Sequence, residues 1–139
     1  EFQWPIIGRI SGVFGSQRVY NGTPGRPHYG VDVAAPMGAK VYAPIDGVVT
    51  LAHPDMYYSG GTLIIDHGYS LSSSFLHLSK VLVRVGDKVK KGDLIAEVGS
   101  GGVSTGPHLD WRMNWQRRQI DPQLLVPDMN TLLQNNKSK

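Results

Sequence analysis

The chain has 139 residues, enough for one domain with its own core. It is 40% hydrophobic and 18% charged, with a formal charge of +3, which is globular composition and excludes a disordered or fibrous chain. Cysteine is absent, which excludes disulfides and thiolate metal ligands and leaves His, Asp and Glu to hold any metal. The basic residues cluster at Lys88, Lys90 and Lys91, at Arg117 and Arg118, and at Lys137 and Lys139. That mild bias suits polyanionic surroundings. The sequence shows no nucleic-acid motif and no transmembrane run.

Seventeen Gly and nine Pro separate short apolar runs, the profile of a turn-rich β protein. Taken in chain order, residues 8–15 read as an entry segment and a short strand. Residues 16–27, with Asn21-Gly22 and Pro24-Gly25, read as a loop. Apolar character resumes at Val31, Val33 and Ala34, with His28 at the loop's exit. Residues 41–44 and 47–52 read as strands around a tight turn at Ile45-Asp46, and 62–67 and 73–78 as strands joined through Asp66-His67-Gly68-Tyr69. Residues 81–85, 94–98 and 109–113 complete the set. No segment has a sustained helical period, although residues 122–125 suit one helical turn. The polar end at residues 135–139 reads as frayed. The division is therefore a domain over 1–127 and a polar tail over 128–139. The chain starts at Glu1 without Met and reads as an excised or mature domain, which leaves room for a targeting segment upstream.

Two pieces echo each other. Gly38-Ala39-Lys40-Val41 leads into Gly47-Val48-Val49, and Gly86-Asp87-Lys88-Val89 leads into Leu94-Ile95-Ala96. This is the pattern of a duplicated β unit.

Metal-binding chemistry is concentrated at two places. His28-x-x-x-Asp32 offers an imidazole nitrogen and a carboxylate, and Gly106-Pro107-His108-Leu109-Asp110 offers a second pair. If residues 108–110 are a strand, His108 and Asp110 point to one face. Three protein ligands plus a water is the usual catalytic zinc arrangement. The residues alone thus read as a metal-dependent hydrolase. His77 ends an alternating run in which Phe75 is expected to share its face. His53 and His67 stand beside turns and read as solvent-facing. Tyr57, Tyr58 and Trp115 suit a groove that takes sugars or peptides, whereas Trp111 alternates into the core. Gly60-Gly61 and residues 99–102 suit either groove rims or hairpin turns.

Several ordered motifs together resemble the LytM/lysostaphin family of zinc endopeptidases. They are His28-x-x-x-Asp32, Val41-Tyr42-Ala43-Pro44-x-x-Gly47-Val48-Val49, Ile65-Asp66-His67-Gly68, Leu76-His77-Leu78-Ser79, Val85-Gly86-x-x-Val89-x-x-Gly92 and Ser104-Thr105-Gly106-Pro107-His108-Leu109. The resemblance implies an all-β fold, a duplicated-hybrid-motif sandwich or barrel of short antiparallel strands with long groove-forming loops. It implies one zinc ion per chain, held by His28, Asp32 and a third ligand at position 110, with His77 and His108 as non-ligand catalytic histidines. It implies hydrolysis of peptide bonds in bacterial peptidoglycan, with a metal-acidified water as nucleophile, and an extracytoplasmic location in the periplasm or at the cell surface.

The chain departs from the family at two positions. The third ligand is a histidine in the family and Asp110 here; a tyrosine precedes the catalytic histidine by two residues in the family, and Phe75 stands there here. Two carboxylates and one imidazole neutralise a divalent ion, where two imidazoles and one carboxylate leave +1. That predicts a less acidified water and better competition from harder metals. Alternatively, Asp110 pairs with Arg112 on the same strand face and leaves the metal site. The second function is then a metal-free domain that binds cell wall or activates a partner hydrolase. A third reading, a biotinyl, lipoyl or phosphotransfer carrier, lacks a suitably placed Lys and leaves His28 and Asp32 without a role.

Overall fold

The structure, a computed structural model, describes residues 1–17, 19–20, 22–100 and 106–137. The strands are β1 (Ile10–Gly12), β2 (Val19–Tyr20), β3 (Thr23–Pro24), β4 (Val31–Ala34), β5 (Lys40–Tyr42) and β6 (Gly47–Met56). They continue with β7 (Gly60–Asp66), β8 (Leu71–Val81), β9 (Lys88–Val89), β10 (Leu94–Val98), β11 (His108–Trp115) and β12 (Arg118–Ile120). A short 3-10 turn (Pro122–Leu125) and one helix, α1 (Met129–Lys137), follow.

The main sheet runs β1-β4-β11-β8-β7-β6-β9, with β12 beside β11 and β10 joining β5 to β8. Every strand pair in it is antiparallel. Antiparallel strands with one wet face read as alternation, and β11 and the first half of β8 show it. On β11, Leu109, Trp111 and Met113 are fully buried; on β8, Ser73 and Phe75 are. The opposite face carries His108, Asp110, Arg112 and Asn114 from β11, with Ser72, Ser74 and Leu76 from β8.

The internal echo takes physical form. β5 of the first copy pairs with β10 of the second, and β6 of the first pairs with β9 of the second. Gly38 and Gly86 turn the chain at equivalent points, with φ of 85° and 94°. Each copy completes the other's ladder, so neither half satisfies its backbone alone.

Some elements differ from the sequence reading. The loop over residues 16–27 contains the small β2–β3 hairpin; Asn21 lies outside the described residues. Residues 82–85 are not strand: Leu82 N bonds to Ile95 O, and the chain then turns toward Gly86. Residues 129–137 form a helix where no helical period is evident. Its first residue, Met129, is only 2% exposed and belongs to the core, and the nearby Pro127 carbonyl accepts from Trp4 Nε1 at 2.7 Å. Tertiary burial, not propensity, holds a helix this short. No helix among the described residues is long and apolar enough to cross a membrane.

Candidate metal centre

The site is built on the centre of the sheet. β4 and β11 pair with Asp32 opposite Asp110 and with Ala34 opposite His108. The two carboxylates therefore stand side by side on one face. His28 reaches them from the loop before β4, through the short span that Gly30 allows. A Cβ at Gly30 would lie 2.6 Å from Asp110 Oδ1 and 2.7 Å from Arg112 Cγ, and one at Gly12 would lie 2.6 Å from Asp32 Oδ2. Only a missing side chain leaves room for the carboxylates.

His77 enters from a bulge in β8. Gly61 pairs with Leu78 and Leu63 with Phe75, so β8 has an extra residue between them. His77 absorbs it at φ 61°, and its N–H donates to Ser59 O at 2.8 Å. A bulge re-aims side chains. Phe75, expected on the face of His77, is instead fully buried in the core. The bulge also marks where β8 leaves β11 and begins pairing with β10.

Ligand atoms of His28, Asp32 and Asp110 all lie within 4.8 Å of one another. His28 Nε2 is 3.1 Å from Asp32 Oδ1, and His108 Nε2 is 3.9 Å from the same oxygen. His28 Nε2 and Asp32 Oδ1 are both buried and have no aligned hydrogen-bond partner. His108 Nδ1 is 3.0 Å from Gly106 O. A carbonyl only accepts, so Nδ1 is the donor there and Nε2 is the nitrogen that faces Asp32. The rings of His77 and His108 lie 5.8 Å apart.

Asp110 is 3% exposed, and Arg112 grips it at both oxygens: Nε donates to Oδ1 at 3.1 Å and Nη2 to Oδ2 at 3.0 Å. Such a fork fixes the carboxylate plane while leaving each oxygen a second lone pair. Burial works to lower the Arg112 pKa, but the hydrogen bonds and charge of Asp110 outweigh it and raise it. The Asp32 carboxylate raises the His28 pKa against burial. Burial lowers that of His77, keeping its ring neutral at neutral pH.

His53 is exposed, as read from the sequence, with Nδ1 accepting from Asp55 N. His67 is not solvent-facing. It is half-buried, with Nδ1 donating to Asp46 O at 2.9 Å and Nε2 meeting Ser73 Oγ at 2.7 Å. Burial lowers its pKa. It is a structural clasp far along the sheet from the carboxylate pair, and no local sequence signal distinguishes it from a turn histidine. Tyr57 and Tyr58 stand more than nine-tenths and nine-tenths exposed at the β6–β7 turn, edge to face at 4.6 Å. Ser59, the next residue, accepts from His77 N, so this turn adjoins His77. Trp111 lies in the core as expected. Gly60 and Gly61 begin β7, and residues 101–105 lie outside those described.

The donor set fits a divalent cation. Two opposed carboxylates repel each other, the buried His28 Nε2 and Asp32 Oδ1 face each other at 3.1 Å without aligned hydrogen-bond geometry, and His and Asp are the ligand types that zinc accepts. The class so defined is an antiparallel β domain with His and Asp donors converging on the open face of its sheet.

Sequence comparison places the chain in a family. The model of Peptidase family M23 matches residues 26–122, and the chain belongs to that family. It is 40% identical over 116 residues to the peptidoglycan DD-endopeptidase ShyA of Vibrio cholerae, covering 81% of this chain and 26% of that protein. Among solved structures, a zinc-containing peptidase from Vibrio cholerae superimposes with a TM-score of 0.77 at 36% identity, covering 86% of this chain and 38% of the other. The catalytic domain of lysostaphin from Staphylococcus simulans gives a TM-score of 0.73 at 30% identity, covering 85% of this chain and 91% of the other. The chain thus spans about a quarter of the length of ShyA. The all-β fold read from the sequence is the fold of these domains.

Proposed function

We propose that this chain is the zinc-dependent endopeptidase domain of a peptidoglycan hydrolase working outside the cytoplasm. His28, Asp32 and Asp110 hold one zinc ion, and His77 and His108 move protons. The observation that supports this most is the convergence of His28 Nε2, Asp32 and Asp110 within 4.8 Å, with both other site histidines alongside. The naming of ShyA as a peptidoglycan endopeptidase supports the substrate class.

Zinc, when bound, supplies Lewis acidity: it lowers the pKa of a water to about 7 and polarises a carbonyl. The chain's own residues supply the rest. His108 is anchored through Nδ1, so Nε2 is free to accept a proton on the side facing Asp32. His77, held neutral by burial, accepts or returns a proton from the other side. Arg112 fixes Asp110 and balances its charge. With His28 neutral, Asp32, Asp110 and Arg112 sum to −1, the same as two imidazoles and one carboxylate. Arg112 thus offsets the charge that the aspartate adds, and the weaker acidity expected from two carboxylates does not follow.

A second reading is favoured by the same pair. The Asp110–Arg112 fork satisfies Asp110 without any metal, as in a metal-free domain that binds wall or activates a partner hydrolase. Metal content decides between them. Elemental mass spectrometry of the freshly purified chain should give near one zinc per chain, and the zinc-loaded chain should release new termini from purified peptidoglycan. No metal, even after zinc soaking and dialysis, would sink the peptidase reading.

A further inference from the structure

A polar groove opens on the same sheet face as Asp110 and Arg112. Strand register lays out the rows. Arg112 stands opposite Ser74, which stands opposite Ile64; in the next row Asn114 stands opposite Ser72, which stands opposite Asp66. The Asn114 row is four residues along β11 from Asp110, or ~14 Å at ~3.4 Å per residue. There a cavity of about 600 Å³ is lined by Asp66, Ser70, Ser72, Asn114, Gln116 and Arg117, among others.

Two independent features mark this groove. The first is its chemistry. An acid and a base line one cavity, with hydroxyl and amide groups beside them. Asp66 Oδ1 accepts from Gly68 N at 2.9 Å, which leaves Oδ2 available. Arg117 is exposed and makes no ion pair among the described residues.

The second feature is backbone strain. Gln116 and Arg117 are the two central residues of the β11–β12 hairpin, where Trp115 pairs with Arg118. Both have positive φ, 51° and 64°. A two-residue hairpin of that form favours Asn-Gly, because L side chains with larger substituents are strained there. Ser70, on the facing turn, also has φ 62°, and its carbonyl accepts from Gln116 N at 3.0 Å. Ser70, Gln116 and Arg117 all line the groove, whereas Tyr69, beside Ser70 on the same turn with φ 55°, does not. Strain of this kind persists where the side chain has work to do.

The geometry points to this groove as a binding subsite for a free dipeptide, a small zwitterion, with Arg117 taking the carboxylate, Asp66 the ammonium group, and Asn114 and Ser72 the amide between them. It deepens the peptidase reading and rests on it for the assignment of the occupant as a product of cleavage.

The test is titration of the isotopically labelled 139-residue chain with the dipeptide alanyl-alanine, followed by amide chemical shifts. Saturable shifts are expected at Ser70, Ser72, Asn114 and Arg117. The same dipeptide, N-acetylated and C-amidated, should bind at least tenfold more weakly, and Arg117→Gln should weaken the free dipeptide at least tenfold. Affinity should be the same with zinc and after its removal by chelator, so the subsite stands or falls separately from the metal. Arg117→Gly should abolish binding while raising Tm by about 3 °C through relief of strain. The proposal is overturned by absent or non-saturable shifts, by shifts confined to His28 and His77, by equal binding of the capped dipeptide, or by unchanged affinity in Arg117→Gln.

Discussion

Asp32 and Asp110 stand directly opposite each other across β4 and β11, on the open face of the sheet. Like charges opposed in this way destabilise a strand pair unless a cation lies between or beside them. Arg112 is one such cation, and the divalent ion proposed at the two aspartates and His28 would be a second.

Removing Arg112 tests this relationship. In Arg112→Met the carboxylates face each other with only a metal to relieve them. The metal-free chain should lose about 2–3 kcal/mol, less than for a fully buried pair because the Arg112 side chain is 30% exposed. The Tm rise on adding zinc should be larger than in the parent. Thermal melts with and without zinc measure both; an unchanged zinc-induced rise would show that the ion does not meet these carboxylates.

Asp110→His restores the histidine that the family places there, but leaves Arg112 as an unbalanced cation next to the site. The double variant Asp110→His/Arg112→Met removes that cation. Zinc affinity by chelator competition should be at least tenfold higher in the double variant than in the single one. Equal affinities would mean that the Arg112 charge is not felt at the ion.

Gly30→Ala puts a methyl against Asp110 Oδ1, Arg112 Cγ and the Trp111 carbonyl, all within 2.9 Å. All three belong to groups fixed by the fork or the sheet. The variant should lose about 1–3 kcal/mol and bind zinc more weakly. Denaturant unfolding and metal content read the two effects; wild-type values of both would remove Gly30 from the account.

His77→Ala and His108→Ala should each retain zinc and lose roughly 10²–10⁴ in hydrolysis rate. Loss of zinc in either variant would instead identify that histidine as a ligand.

His67 sets a pH dependence of stability. In the unfolded chain it titrates near 6.5, and burial lowers that value in the fold. Between the two values the unfolded state binds the extra proton, so the His67 contribution is complete above pH 6.5 and is lost as pH falls through the folded value. His28 works in the opposite sense, its raised pKa giving stability below 6.5 that is lost as pH rises through its folded value. The comparison that isolates His67 is the parent against His67→Gln, followed by urea unfolding from pH 7.5 to 5. The difference in stability should shrink toward acid pH; a constant difference would refute the assignment.

The sequence by itself determined the all-β class and most of the strands, and it marked the duplicated unit and the candidate metal-ligating residues. Those signals are local: alternation along β11, glycines at the turns, and His28 with Asp32 at fixed separation. It also identified Arg112 as a partner for Asp110, because residues two apart in a strand share a face. Only the tertiary structure decided the rest. Which strands pair depends on long-range register, and register sets Asp32 opposite Asp110 and joins β5 to β10 and β6 to β9. The bulge at His77 follows from unequal residue counts on β7 and β8, which no single strand reveals, and it moves Phe75 away from the face of His77. His67 becomes a half-buried clasp through Asp46 and Ser73, each distant in sequence or on another strand. α1 exists because the sheet buries Met129, an interaction available only once the sheet has formed.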